Sequence, residues 1–514
     1  MKDKIFKIAV IISSVIAFVT TLGYVVAKFI IHKYGEISIQ QIIFNIQTSE
    51  TPIAILLDNF IGALPYIGVF IACGLVIFLF TVLVNKYNTL EAVATSFVIG
   101  FSRCLKILWG GVNRKPQTIF IIFLLAISFY SIKAIDRKLQ IYSFLKQENS
   151  SFIEKHYAKL NVNEFQFSED KKKNLIIIFA ESLEKGYSDA NVYGENLISE
   201  LEDLYGEGQR ILGYRKGPGG YFTIDGVSAQ TLGMPLTQLP IEIHNMANEN
   251  KYGTFLRGTP GIFNLLKNAG YETALFAGTS EKFTHQGDFM KSHGVDNIYC
   301  KEYWIEQGYE LNEKTRGVWD FNDQFVMDRF KQYLTQSREQ PFAVILETID
   351  THFPNGWAPE DHRIDGSFKD AVKFSSKMLS GFINWAKTQP WYSDTVIYIL
   401  GDHPFQDFNV DFTKFTKQSK NREAFSLVFN SKIKNDLILP CGYSPMDIAP
   451  TILNSMGIEF TSRLTNGHLS NSRLGLGTSL LSLDKNLVCQ YGSDELNANL
   501  VKYSSFYQSL HSTE

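Results

Sequence analysis

Two strand-like runs in this chain end in residues of the kind that bind cations. Asn174 to Glu184, NLIIIFAESLE, is apolar from a lysine-rich entry up to an abrupt carboxylate, Glu181. Such a run reads as a strand buried on both faces, and its carboxyl end is where open α/β sheets gather ligands. Asp394 to Leu400, DTVIYIL, reads the same way and runs into Gly401-Asp402-His403. Two strands delivering Glu, Asp and His to one sheet edge suggest a metal site with oxygen and imidazole donors. Either end alone would read as a helix cap or a surface charge; the pairing points to chemistry. Between them lies Lys216 to Leu236, KGPGGYFTIDGVSAQTLGMPL, a glycine-rich approach to a hydroxyl, Thr223, followed by a helix-compatible run. The free N–H groups and dipole of a helix start favour an incoming phosphate. A hydroxyl there is either a nucleophile or an ordinary helix cap.

The elements that must position these residues follow from punctuation and periodicity. From Asn174 onward strands and helices alternate, which predicts an α/β fold with a mainly parallel sheet flanked by helices. Thr259-Pro260 reads as a cap followed by proline at the first helical position, with Gly270 closing that helix. Glu272–Ala277 and Phe342–Glu347 read as strands, 367–387 as a helix, and 424–429 as a strand after the Asp394 run. Ser444-Pro445-Met446-Asp447 opens a further helix that Gly457 ends.

The first ~140 residues differ in kind from the rest, and the 514-residue chain has room for one large domain beyond them. Apolar blocks at about 8–31, 61–84 and 118–135 are predicted to span a bilayer, making 1–135 a transmembrane region. Basic residues precede the first block without a convincing cleavage site, which reads as an uncleaved anchor. Residues 92–109, apolar but broken by Arg103 and Lys106, read as an interfacial helix. Lys86, Arg103, Lys106, Arg114 and Lys115 crowd one loop, while Glu36, Glu50 and Asp58 mark the other. The positive-inside bias then puts the N-terminus in the cytoplasm and everything after about residue 136 outside it. Residues 136–170 read as a charged, helical connector, 171–485 as the catalytic domain and 486–514 as a C-terminal tail. With Cys300, Cys441 and Cys489 alone in the outer part, at most one internal disulfide is available there. A net charge of -3 without a basic stripe argues against nucleic acid as a partner.

ESLE at Glu181, FTIDG at Thr223, DTHFP at Asp350, GDH at Asp402 and SPMDIAPTILNSMG at Ser444 occur in a telling order. From Leu175 to Leu481 the chain resembles the sulfatase-like lipid-headgroup transferases of the alkaline phosphatase superfamily. The resemblance is strongest to membrane phosphoglycerol transferases that decorate periplasmic glucans, with lipoteichoic acid synthases as relatives. It implies one divalent metal ion held by Glu181, Thr223, Asp402 and His403, with Mn2+ expected and Mg2+ or Zn2+ as alternatives. It implies Thr223 as nucleophile and His352 as a group near the phosphoryl, donating to an oxygen or protonating the leaving alcohol. Asp350 is a candidate to orient that histidine. Gly278 to Asp296 departs from the synthases, which place Trp and Arg there; His285, Asp288 and Trp319 are the substrate-binding candidates in their stead.

The expected reaction moves a glycerophosphoryl group from phosphatidylglycerol in the lipid bilayer to an extracytoplasmic glycan, through a covalent threonine intermediate. The setting is a bacterial inner membrane, with the catalytic domain on its outer side. Phosphoethanolamine transfer to lipid A or another glycan is the alternative, though relatives of that kind usually carry several disulfides. Sulfate-ester hydrolysis fits poorly, because Cys441-Gly442-Tyr443-Ser444-Pro445 lacks the C/S-x-P-x-R context. An inactive, membrane-tethered glycan-binding protein is the alternative of another class, and four filled metal-ligand positions argue against it.

Overall fold

A computed structural model describes residues 2–34, 116–139, 149–168, 172–237, 255–336, 340–352, 356–364, 368–405 and 422–511, with a few isolated positions besides. The chain divides into two units, the second taking in Lys146–Glu514.

The N-terminal unit contains helix α1 (Lys2–Tyr34) and helix α2 (Pro116–Leu139). Within α1, Ile8–Phe29 is the one segment among the described residues both long and apolar enough to cross a bilayer. The two helices touch through Tyr24 and Tyr130, whose rings lie 6.4 Å apart, and Gly23 sits against Ile135. Away from that contact, Ile12, Val15 and Val19 of α1 and Phe129 and Ile132 of α2 remain exposed. The span expected at 61–84 and the interfacial helix expected at 92–109 fall outside the described residues.

In the larger unit the strands are β1 (Ala158–Phe167), β2 (Asn174–Ala180), β3 (Ile211–Tyr214), β4 (Glu272–Ala277) and β5 (Asn297–Tyr299). They continue as β6 (Phe342–Glu347), β7 (Thr395–Gly401), β8 (Ser426–Phe429), β9 (Leu437–Tyr443) and β10 (Ile458–Leu464). The longer helices are α3 (Thr223–Leu232), α4 (Asp323–Leu334), α5 (Phe368–Ala386) and α6 (Ile448–Ser455).

The central sheet runs β5-β4-β6-β2-β7-β8. Five strands are parallel, and β8 closes the β7 edge antiparallel. The sheet is therefore mainly parallel, as the sequence predicts, with one antiparallel edge that makes it mixed. Apolar periodicity reports burial and not chain direction, and an antiparallel edge on a parallel sheet is common. Alternation along β2 divides its side chains between two cores. Leu175, Ile177 and Phe179 pack with Ile224 and Val227 of α3 and Ile452 of α6. Ile176 and Ile178 pack with Val326 and Phe330 of α4 and Leu379 and Phe382 of α5. A strand apolar at every position is what burial on both faces demands.

Three local expectations change. The helix foreseen at Thr259-Pro260 begins only at Ile262, after Gly261. Thr259 is buried and its hydroxyl accepts a bond from the Tyr157 hydroxyl at 3.4 Å, so it caps nothing. Gly261 N–H donates instead to the side-chain oxygen of Asn264 at 2.8 Å. The second half of the region read as a helical connector is β1, which pairs antiparallel with β10. Residues 486–514, set apart as a tail, supply Leu487, Leu500 and Tyr507 to the core on the α3 face. The Tyr507 hydroxyl donates to the Pro235 carbonyl at 2.7 Å, and Cys441 and Cys489 form a disulfide. Helix propensity and charge carried no sign of these long-range partners.

Leu500 is fully buried, so Leu500→Ala should lower the unfolding free energy of the larger unit by about 2–5 kcal/mol. Urea denaturation followed by tryptophan fluorescence measures it. An unchanged midpoint would mean that the C-terminal helices do not belong to the core.

Candidate active site

The two strand ends meet because β2 and β7 are direct neighbours, with Ala180 beside Gly401. Glu181 therefore emerges next to Asp402 and His403, and ligand atoms of the three lie within 4.8 Å of one another. All three are buried. One oxygen joins the strands: Asp402 Oδ1 accepts from the backbone N–H groups of Ser182 and His403, each at 2.8 Å. The turn that permits this puts Ser182 at φ 52°, in the left-handed region, a strained conformation of the sort that persists where surroundings over-determine it. Thr348 Oγ1 accepts from Glu181 N–H at 3.0 Å, and the Thr351 hydroxyl donates to the Glu181 carbonyl.

The side chains point inward with donor capacity left over. His403 Nδ1 lies 2.9 Å from the Pro404 carbonyl, an acceptor, so it carries the proton and Nε2 presents a lone pair. That Nε2 is 3.6 Å from Glu181 Oε1 and 3.4 Å from Asp402 Oδ2. Asp402 Oδ2 is buried and has no hydrogen-bond partner among the described residues. Burial, and next the charge of Glu181, push the Asp402 carboxyl well above its ordinary range. Burial acts to raise Glu181, while the His403 and His352 rings when protonated, and the hydroxyls of Ser182 and Thr223, act to lower it, and the lowering prevails. Two adjacent buried acids with an orphaned oxygen and an imidazole lone pair fit a divalent cation, whose charge would relieve their repulsion.

Thr223 begins α3, and its hydroxyl donates to Glu181 Oε2 at 3.1 Å. Phe222 occupies the cap position, so the hydroxyl is not spent on the helix's own backbone. Two features bring α3 this close. Gly226 lies against the Asp402 backbone, where a Cβ would fall 2.2 Å from the carbonyl oxygen. Asp225 accepts from the N–H groups of Gly219, Tyr221 and Leu236, tying down the glycine-rich approach. Burial lifts Asp225 to about 7, with those three bonds opposing the rise.

His352 stands across from this cluster. Trp319 Nε1 donates to its Nδ1 at 3.1 Å, and Phe283 packs on Trp319 with ring centroids 5.4 Å apart. An indole N–H only donates, so His352 Nδ1 accepts and the neutral ring carries its proton on Nε2. Asp350 does not orient His352 directly. Its carboxylate accepts from Val318 N–H and Asp323 N–H, while Asp323 accepts from Ile349 and Asp350 in return. That reciprocal pair holds the loop that carries Trp319. His285 is half-buried against Phe255, with burial lowering its pKa, and Asp288 is exposed on the short helix Gln286–Ser292. The structure thus joins Glu181, Thr223, Asp402 and His403, and pairs Trp319 with His352. It gives Asp350 a backbone-holding task and leaves His285 and Asp288 on the neighbouring segment. Ser182, Thr348, Thr351, Asp225, Asp323 and Phe283 were passed over in the sequence. Ser182 and Asp225 stand inside the ESLE and FTIDG motifs, but only their hydrogen bonds reveal a task.

Residues 173–458 match the sulfatase family. The chain belongs to that family. Among curated proteins it is similar to phosphoglycerol transferase I of Escherichia coli (strain 536 / UPEC), 31% identical over 324 residues, which are 61% of this chain and 39% of the relative. Phosphoglycerol transferase I of Shigella boydii is similar to the same extent, again 31% identical over 61% of this chain and 39% of its own. The chain spans well under half the length of these relatives. Among solved structures it is similar to the lipoteichoic acid synthase LtaP from Listeria monocytogenes, with a TM-score of 0.49 and 16% identity, over 70% of this chain and 97% of that one.

Glu181→Ala, Asp402→Ala and His403→Ala should each reduce bound metal, measured by elemental analysis after Mn2+ loading, by more than the ~10–100-fold typical of groups that merely support ligands. Binding should also weaken as pH falls, because protons and the cation compete for the raised Asp402 carboxyl. Full occupancy in all three variants would dismiss the site. Gly226→Ala should impair metal binding as well, since the added methyl displaces either α3 or the Asp402 backbone.

Proposed function

We propose that this protein is a membrane-anchored phosphoglycerol transferase acting outside the cytoplasm, with Thr223 as its nucleophile. The observation that carries the reading is the Thr223 hydroxyl, held 3.1 Å from Glu181 at the edge of a buried cation-type cluster. The likeness to the curated phosphoglycerol transferases supports the headgroup. The apolar span of α1 supports residence beside a lipid donor, and the Cys441–Cys489 disulfide supports an oxidising compartment.

In the first step Thr223 Oγ1 forms a bond to the phosphorus of phosphatidylglycerol, and the bond from phosphorus to the diacylglycerol oxygen breaks. A divalent cation bound by Glu181, Asp402, His403 and the Thr223 oxygen, Mn2+ in our reading, would lower the pKa of the hydroxyl and neutralise phosphate charge. Glu181 receives the hydroxyl's hydrogen bond and so aims its oxygen. His352 carries a proton on Nε2, suited to donate a hydrogen bond to a phosphoryl oxygen or to the oxygen of the departing alcohol. Trp319 fixes that tautomer through Nδ1. The proton that Thr223 gives up, hydrogen-bonded at first to Glu181, ends on the departing diacylglycerol oxygen, and the enzyme keeps a glycerophosphoryl group on Thr223. In the second step a sugar hydroxyl of an extracytoplasmic glycan attacks the same phosphorus. The bond to Oγ1 breaks and Thr223 recovers its proton.

Thr223→Ala should abolish both the adduct and turnover, with activity falling by several orders of magnitude. Folding should persist, since the missing hydrogen bond to a charged group is worth about 1.5–3 kcal/mol. Thr223→Ser should keep part of the activity. Mass spectrometry after incubation with labelled phosphatidylglycerol and, in parallel, phosphatidylethanolamine reads both donor and residue. An adduct on Ser228 or Thr231 would keep the reaction and move the nucleophile, and normal turnover by Thr223→Ala would sink the covalent step.

Topology has its own measurement. A reporter active only when exported, fused after Lys138, should be active. Activity of a cytoplasm-only reporter at that point would place the catalytic unit inside the cell.

A further inference from the structure

Glu347 ends β6, and nothing described so far uses it. It lies in register with Phe179 of β2 on one side and Ala277 of β4 on the other. Side chains alternate along a strand, and Ala343 and Ile345 of β6 belong to the core on the α3 face. Glu347 therefore projects on the sheet face that carries Thr223. It is 6% exposed, and its Oε1 has no hydrogen-bond partner among the described residues. A buried carboxyl oxygen left unmatched inside a protein calls for a reason.

Its surroundings say what kind of group it would meet. Asp402 and Glu181 act on it electrostatically from one side. On the other side it acts on Cys300, which is buried together with Gln286 and Thr279. Glu347 thus lies between the cation cluster and the segment that follows β4. It is not one of the three groups whose ligand atoms converge. Burial first, and then the charges of Asp402 and Glu181, push it up to about 8. Its unmatched oxygen can accept a hydrogen bond from a hydroxyl.

We propose that Glu347 is a specificity-determining residue that hydrogen-bonds a hydroxyl of the uncharged polyol carried by the phosphoryl group. The assignment rests on the transferase reading above and adds the residue that selects the headgroup. The cluster at the ends of β2 and β7 takes the phosphoryl oxygens, and the substituent that stays on phosphorus through both steps extends from there. A buried carboxyl oxygen left without a partner on the same sheet face matches a hydroxyl, which can donate to it. A site built to bond a hydroxyl also rejects an analogue that lacks one, because its own polar group is then left unpaired.

The experiment compares phosphatidylglycerol with phosphatidylpropanol, which keeps the phosphate and chain length and lacks the hydroxyls. Diacylglycerol release by the full chain in detergent micelles with saturating Mn2+ yields kcat/KM for each donor. Wild type should prefer phosphatidylglycerol by roughly tenfold or more. Glu347→Leu should erase that preference with metal content unchanged, and Glu347→Gln, which still donates and accepts, should retain most of it. Glu347→Met fills similar space without an oxygen and gives the same reading should the Leu variant fail to fold. A preference undiminished in the Leu and Met variants overturns the assignment. So does an equal loss in the Gln variant, which would show that a carboxyl is required, and so does loss of metal from any of them. Absence of diacylglycerol release by wild type from phosphatidylglycerol overturns the donor reading itself, and that result is distinct from the others.

Discussion

Asp402 Oδ1 accepts the backbone N–H groups of Ser182 and His403, and the geometry of the site depends on that shared oxygen. It couples the end of β2 to the end of β7, forces the turn at Ser182, and leaves Oδ2 of the same carboxyl facing Glu181 and the His403 ring. Two buried acids at such close quarters repel each other and pay for their lost hydration. Protonation or a cation removes that penalty. The arrangement is poor as a stabilising device and well suited to holding a metal ion.

Around that core, each mobile choice is closed by a polar side chain acting on backbone. Thr348 and Thr351 grip the backbone of Glu181. Asp225 gathers three N–H groups of the glycine-rich approach, and the Asp323–Asp350 pair exchanges bonds across the loop that carries Trp319. The carboxyls among them spend their hydrogen bonds on peptide groups and so order the loops. Glu184 joins backbone and side chain, accepting from the Arg422 guanidinium and from Phe405 N–H just past His403. Preorganisation of this sort matters because a bound cation or anion gains most from ligands and donors that need not move.

The two cores on either face of the sheet explain how the clustered side chains reach the same edge from distant parts of the chain. Helix α3 packs on one face and presents Thr223; α4 and α5 pack on the other and steady the loops of Trp319 and His352. Gly226 lies directly against the Asp402 backbone in that docking. Helix and strand end touch there with no room for a methyl group, so the reach of Thr223 toward Glu181 is set by backbone packing more than by the rotamer of the threonine.

Much of this was legible in the residues. Apolar runs ending in Glu181 and in Asp402-His403 announced buried parallel strands with ligands at their carboxyl ends, because burial on both faces leaves no polar alternation to confuse the reading. The glycine-rich path to Thr223 announced a helix start. Other things needed the tertiary structure. Direction is invisible to periodicity, so the antiparallel β8 was not foreseen. Local propensity misplaced the helix at Thr259, whose hydroxyl faces Tyr157 from a hundred residues away. The strand at 158–167 and the core role of Leu500 and Tyr507 arise from partners far along the chain. The roles of Asp350, Asp225 and Ser182 belong to the same class, since a carboxylate or hydroxyl can bond many backbone groups and only the folded chain selects which. The sequence by itself determined which residues could do chemistry and on which strand ends they stand, since that follows from local pattern. Only tertiary packing decided which of them meet, because meeting depends on strand order and on helix-to-sheet distance, and no short stretch of residues encodes either.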